Sequence, residues 1–249
     1  MAHAYDEFAP YFDAWQEAFG GAYDDLILPR LSELLARHAP GARRVADLGI
    51  GTGSLVIALA RRGFEVVGVD VSRPMLAVAR GKVGAAGLEH AVTLVEADIR
   101  DLALEPRIDA AICVYTVVNQ LAEDGDLDHL LAGVHRSLVP GGVFVFEVNL
   151  PAAYARFWSG SETVQAGAIR IRRTHARLAA NLVEARVTIE EVDGSLRHDR
   201  IVQRAYEAAE LEPALARSGF TVADVERFDP FGGAGEPTKA LWVAQRRRT

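Results

Sequence analysis

Only one cysteine, Cys113, occurs in the 249 residues. A lone thiol cannot close an internal disulfide, and it excludes a metal site built from clustered cysteines. No apolar stretch approaches the roughly 20 residues that a membrane-spanning helix requires. The opening MAHAYDEFAP lacks the basic-then-apolar pattern of a secretory signal, so a cytoplasmic location is the expectation, with no membrane partner. Basic blocks are also scarce. Apart from Arg246, Arg247 and Arg248 the cationic residues are scattered, and the formal net charge is −7. Gripping a long phosphate backbone needs a basic face, so nucleic acid is disfavoured as a partner. What remains is ordinary globular material: half the residues are apolar and 24% charged, enough to bury a full core as one domain.

From about residue 43 to 150, strand and helix signals alternate. RRVADLG, FEVVGVD, AVTLVEAD, IDAAICVYTVV and GVFVFEVN are near-continuous apolar runs, the mark of parallel strands buried on both faces. Helical spacing fills the gaps. SRPMLAVARGKVGAAG begins with Ser72 as N-cap and Pro74 in the first turn, and ends at Gly87. The pattern predicts an α/β fold, a doubly wound sheet whose ligands sit at the carboxyl ends of the strands. Residues 1–42 form a helical lead-in, with Pro29 marking a helix start or a kink, and residues 43–150 form the core. Residues 151–207 change to period two and predict a three-stranded antiparallel insert after the fifth strand. Residues 208–249 supply a last helix and two closing strands, making seven strands in the main sheet.

VADLGIGTGSL places Gly49, Gly51 and Gly53 directly after the first strand. Glycine supplies φ > 0 and lets a ligand approach the backbone. The dinucleotide pattern G-x-G-x-x-G wants its third glycine one residue later, which disfavours a nucleotide-cofactor oxidoreductase. Asp70 ends the second strand, where a carboxylate can accept hydrogen bonds from both hydroxyls of a ribose. Asp98 ends the third, where it can accept from the amine of a purine. Asp47 stands beside the glycine loop. Turn or cap roles remain open for Asp47 and Asp98.

In this order these segments resemble the class I S-adenosylmethionine-dependent methyltransferases, in the small-molecule branch with an antiparallel insert. The resemblance implies a Rossmann-like, mostly parallel seven-stranded sheet and S-adenosylmethionine as cofactor, with S-adenosylhomocysteine as product. It also implies no metal, a small-molecule acceptor methylated on N or O, and a monomer or homodimer. By position, it implies that the three glycines pass the methionine moiety and Asp70 holds the ribose. Val71 and Met75 would bracket the adenine, Asp98 and Ile99 would meet its edge, and Cys113 would offer its carbonyl. Core roles for Val71, Met75, Ile99 and Cys113 stay open. Tyr23 in the lead-in and Tyr115 at the fourth strand's end are expected near the cofactor. Because YDEFAPYFD carries Phe12 where the family often has tyrosine, Tyr11 joins Asn119 and His175 as a candidate catalytic residue. For His175 the alternative is a surface strand histidine, and for the insert arginines a wet face paired with Glu184, Glu190 and Glu191. A non-catalytic binder of the same cofactor is the rival from another class.

Overall fold

The computed structural model describes residues 5–20, 23–230, 232 and 235–248. The main sheet contains β1 (Arg44–Leu48), β2 (Glu65–Asp70), β3 (Val92–Glu96), β4 (Ile108–Cys113), β5 (Leu138–Asn149), β10 (Phe220–Phe228) and β11 (Lys239–Arg246). Their order is β10-β11-β5-β4-β1-β2-β3. β11 alone runs opposite to the other six strands. The order reverses between β4 and β1, which opens a crevice above their carboxyl ends.

Alternation along each buried strand divides the core. Val45, Val66, Ala110 and Ile112 face α2 (Tyr23–His38), α3 (Ser54–Ala60) and α4 (Arg73–Ala85). Ala46, Val67, Ala111 and Cys113 face α5 (Asp126–Ser137) and α7 (Ala208–Arg217). The helices therefore cover both faces, as the continuous apolar runs require. Ser72 caps α4, its Oγ accepting from the Met75 amide at 3.3 Å. Pro29 lies inside α2 rather than at its start. No helix among the described residues is long and apolar enough to cross a membrane.

Beyond β5 the chain departs from the expected three-stranded insert. Helix α6 (Pro151–Phe157) leads into a separate four-stranded antiparallel sheet. Its strands are β6 (Ser161–Ala166), β7 (Ile169–Ala179), β8 (Leu182–Glu190) and β9 (Leu196–Arg204). The extra strand is SETVQA, which pairs with β7 over its whole length but exposes every second residue, Ser161, Thr163 and Gln165. A short polar strand has little hydrophobic signal to announce it. The inner face of this sheet, including Ile171, Val187, Ile189 and Ile201, packs against Phe8, Phe12 and Trp15 of the lead-in. Lead-in helix α1 (Phe12–Gly20) and the second sheet thus share one hydrophobic core.

Candidate active site

Two cavities lie at the carboxyl edge of the main sheet. The smaller, of about 320 Å³, is lined by Gly49, Gly51, Asp70, Val71, Met75, Asp98, Ile99 and Tyr115, all singled out from the sequence. The larger, of about 470 Å³, lies between the core, the lead-in and the second sheet, and contains Tyr23, Asn149, Glu162, Arg173 and Lys239. Tyr5, Phe12 and Tyr115 line both.

Each glycine of the loop has its own reason. A Cβ on Gly49 would lie 2.6 Å from the Val117 side chain, and one on Gly53 would lie 2.9 Å from the Ala79 Cβ. Those two glycines serve packing of the protein on itself. A Cβ on Gly51 would meet only Phe12, at 3.8 Å, so its open side faces the cavity. Asp70 braces the loop. One carboxylate oxygen accepts the Gly51 amide at 2.8 Å and the other the Ser72 amide at 2.9 Å. Burial raises the Asp70 carboxyl above the usual carboxylate value, and the amides of Ser72, Gly51 and Val71 oppose that rise.

Asp98 reaches the cavity wall but is engaged locally. It caps a short turn through the Arg100 amide at 2.9 Å and accepts from the Arg100 side chain. The turn-and-cap role left open for it is thus present. Four other residues expected at the cofactor, Asp47, Gly53, Cys113 and Tyr23, do not line the smaller cavity. Asp47 is buried at 2% exposure, and Gly53 is turned toward α4. Cys113 is fully enclosed in β4, where burial pushes its thiol up. Tyr23 lines only the larger cavity; its hydroxyl donates to the buried Glu147, which also accepts from Lys239. Its ring meets Tyr115 edge-on at 5.2 Å.

The catalytic candidates fare worse. Tyr11 lines neither cavity and is engaged with Glu191 and Arg197 of the second sheet, the hydrogen bond to Glu191 raising its phenol. The neighbouring Phe12 occupies the position between the cavities. Asn119 is buried, and its amide is used up on backbone: it donates to the Asn149 and Arg204 carbonyls and accepts from the Asn149 amide. It ties β5 to β9 and touches no cavity. The side chain of His175 is 2% exposed, not on the surface, and its ring lies tilted against Trp158 at 5.0 Å behind the cavity wall. Burial and the Arg173 charge lower its imidazole to about 4.

The expected pairing of insert arginines holds for Arg170 with Glu190 and Arg186 with Glu184, while Arg200 and Arg197, not part of that expectation, pair with Glu184 and Glu191. Arg173 differs, because it shares the inward parity of Ile169 and Ile171 in IRIRRTHAR. That parity was the available signal for a cavity residue. Tyr5, Tyr115 and Thr116, the non-glycine residues recorded with positive φ, all line the larger cavity. Left-handed backbone at such residues costs energy and concentrates at functional sites. The Tyr115 hydroxyl is buried without a hydrogen-bond partner among the described residues.

A doubly wound sheet with a glycine loop and a strand-end carboxylate at its switch point defines a nucleoside-binding α/β protein. Residues 45–142 match the family described as "Methyltransferase domain". The chain carries the fold of the class I S-adenosylmethionine-dependent methyltransferases, with the family match confined to that segment. It resembles, at 38% identity over 143 residues, a demethylmenaquinone methyltransferase of Thermus thermophilus, covering 57% of this chain and 62% of that protein. A Streptomyces fradiae dTDP-3-amino-3,6-dideoxy-alpha-D-glucopyranose N,N-dimethyltransferase is 28% identical over 82% of this chain and 79% of its own. The crystal structure of an S-adenosylmethionine-dependent methyltransferase from Clostridium acetobutylicum superposes with a TM-score of 0.79 at 21% identity, covering 98% and 99% of the two chains. The chain spans only 55% and 62% of the length of two of the curated bacterial relatives it matches.

Proposed function

We propose that the protein transfers the methyl group of S-adenosylmethionine to a nitrogen or oxygen of a small molecule held in the larger cavity. The observation that carries this reading is the junction of the two cavities at Tyr5, Phe12 and Tyr115. A cofactor in the smaller cavity has room for its methionine portion beside Gly51, and Asp70 stands at the end of β2 to meet the ribose. Bound there, S-adenosylmethionine supplies an already activated methyl group. The protein then has to align acceptor, methyl and sulfur, and such alignment contributes on the order of 7–11 kcal/mol. The aromatic junction excludes water from that line. Tyr23, whose hydroxyl donates to the buried Glu147, is placed in the larger cavity to take a proton from the acceptor while its own passes to the Glu147 carboxylate. It replaces Tyr11, Asn119 and His175 in that role. The N,N-dimethylation named for the Streptomyces fradiae relative supports nitrogen as the methylated atom.

The test is calorimetric titration with S-adenosylmethionine, followed by S-adenosylhomocysteine release across a panel of small amines and alcohols. Micromolar cofactor binding with turnover of a panel member is the expected result. Binding without turnover of any acceptor would make it a cofactor-binding protein, and no binding would overturn the reading altogether.

A further inference from the structure

The second sheet carries a polar pair whose position the methyl transfer itself does not explain. Arg173 is turned inward on β7, its side chain 11% exposed, with its guanidinium 5.3 Å from the Trp15 ring and 5.7 Å from the Trp158 ring. Its register partner across β6 is Glu162, whose Oε1 lies 3.3 Å from Arg173 Nη1. That same Oε1 is shut off from solvent and accepts no hydrogen bond among the described residues. Both residues line the larger cavity, and neither lines the smaller. His175 stands behind them, its Nε2 3.4 Å from Arg173 Nη2 and 3.9 Å from Glu162 Oε1.

The charges of this corner cancel. An anion entering it would meet the Glu162 carboxylate, and a cation would meet the guanidinium. An uncharged group meets neither penalty, provided it can satisfy both partners at once. Glutamate only accepts and arginine only donates, so the matching edge has a donor beside an acceptor. We propose that Glu162 and Arg173 form a binding subsite for an uncharged donor–acceptor edge of the acceptor molecule, such as a vicinal diol or an imide. The Glu162 carboxylate, its side chain 30% exposed, accepts from the ligand's donor, and the guanidinium, held near two indoles, donates to the adjacent oxygen. The subsite rests on the transferase reading only in making this ligand the methyl acceptor.

The experiment is a ligand-observed NMR titration of the whole protein, with and without S-adenosylhomocysteine. Four probes are compared: methyl α-D-glucopyranoside for the diol, thymidine for the imide, glucuronate as anion and glucosamine as cation. A neutral probe should bind at least tenfold more tightly than either charged one, and which neutral probe wins identifies the edge. Glu162→Gln and Arg173→Gln should each weaken it at least tenfold, whereas Arg172→Gln on the outward face should not. Melting curves establish that the variants fold, and the charge selectivity of the unmodified protein needs no variant at all. Binding of a charged probe as tightly as the neutral ones, no binding of any probe, or unchanged affinity in folded Glu162 and Arg173 variants would each overturn the subsite. Intact selectivity in a protein that binds no S-adenosylmethionine would instead sink the transferase reading and leave the subsite standing.

Discussion

Gly51 separates two reasons for a loop glycine, and substitution can tell them apart. Gly51→Val places a branched side chain in the smaller cavity and should abolish S-adenosylmethionine binding by calorimetry. Gly63→Val carries the same positive-φ penalty, on the order of 1–3 kcal/mol, with nothing near it, and should lower the melting temperature while leaving affinity intact. Asp70→Asn should weaken cofactor binding by about 1.5–3 kcal/mol, the range for a hydrogen bond to a charged group. Because Asp70 also holds the Gly51 and Ser72 amides, some melting temperature should be lost as well. His175 gives a pH signature. Its folded value of about 4 lies below the unfolded 6.5, so the unfolded chain binds the extra proton between those values. Its contribution is complete above pH 6.5 and drains away as pH falls toward 4, by at most about 1.4 kcal/mol per pH unit. In His175→Phe that part of the melting-temperature slope should flatten. Asp70, Gly51 and Tyr115 were legible in the sequence because a strand end announces itself locally. Asn119 was misread because its partners, Asn149 and Arg204, are distant in the chain and are backbone atoms.

At the scale of elements, the main sheet was readable because its strands are buried on both faces and leave long apolar runs. The second sheet was readable only in outline. β6 is six residues long with only Ala166 buried, and the helix α6 before it is seven residues long. In the sequence the lead-in and the insert read as separate segments. The common core of Phe8, Phe12, Trp15 and the inner face of β7, β8 and β9 joins them. Phe8 is 1% exposed, and Phe8→Ala should cost about 3–5 kcal/mol within that unit. Hydrogen exchange should quicken across β7 to β9 and residues 8–18 together, while β1, β2 and β4 keep their protection. Exchange that quickens in the lead-in alone would show two independent covers.

For the whole molecule, the lead-in is tied down at two places on the core. Ser72 Oγ, after β2, donates to Asp6 at 2.6 Å. Asp13 accepts from Thr52 at 2.5 Å and from Lys82 at 2.8 Å, beside the loop after β1. These ties sit after β2 and beside the loop after β1, and Tyr5 and Phe12, each next to a tied aspartate, form part of the wall of the smaller cavity. Their consequence is kinetic. A ligand beneath the lead-in leaves at the rate at which both ties open, so residence time is set by the latch as well as by affinity. Stopped-flow displacement of S-adenosylhomocysteine should be several-fold faster in Asp13→Ala than in the unmodified protein, with a smaller change in the association rate. A spent cofactor held this way would make emptying the pocket, rather than moving the methyl group, the slow beat of each cycle.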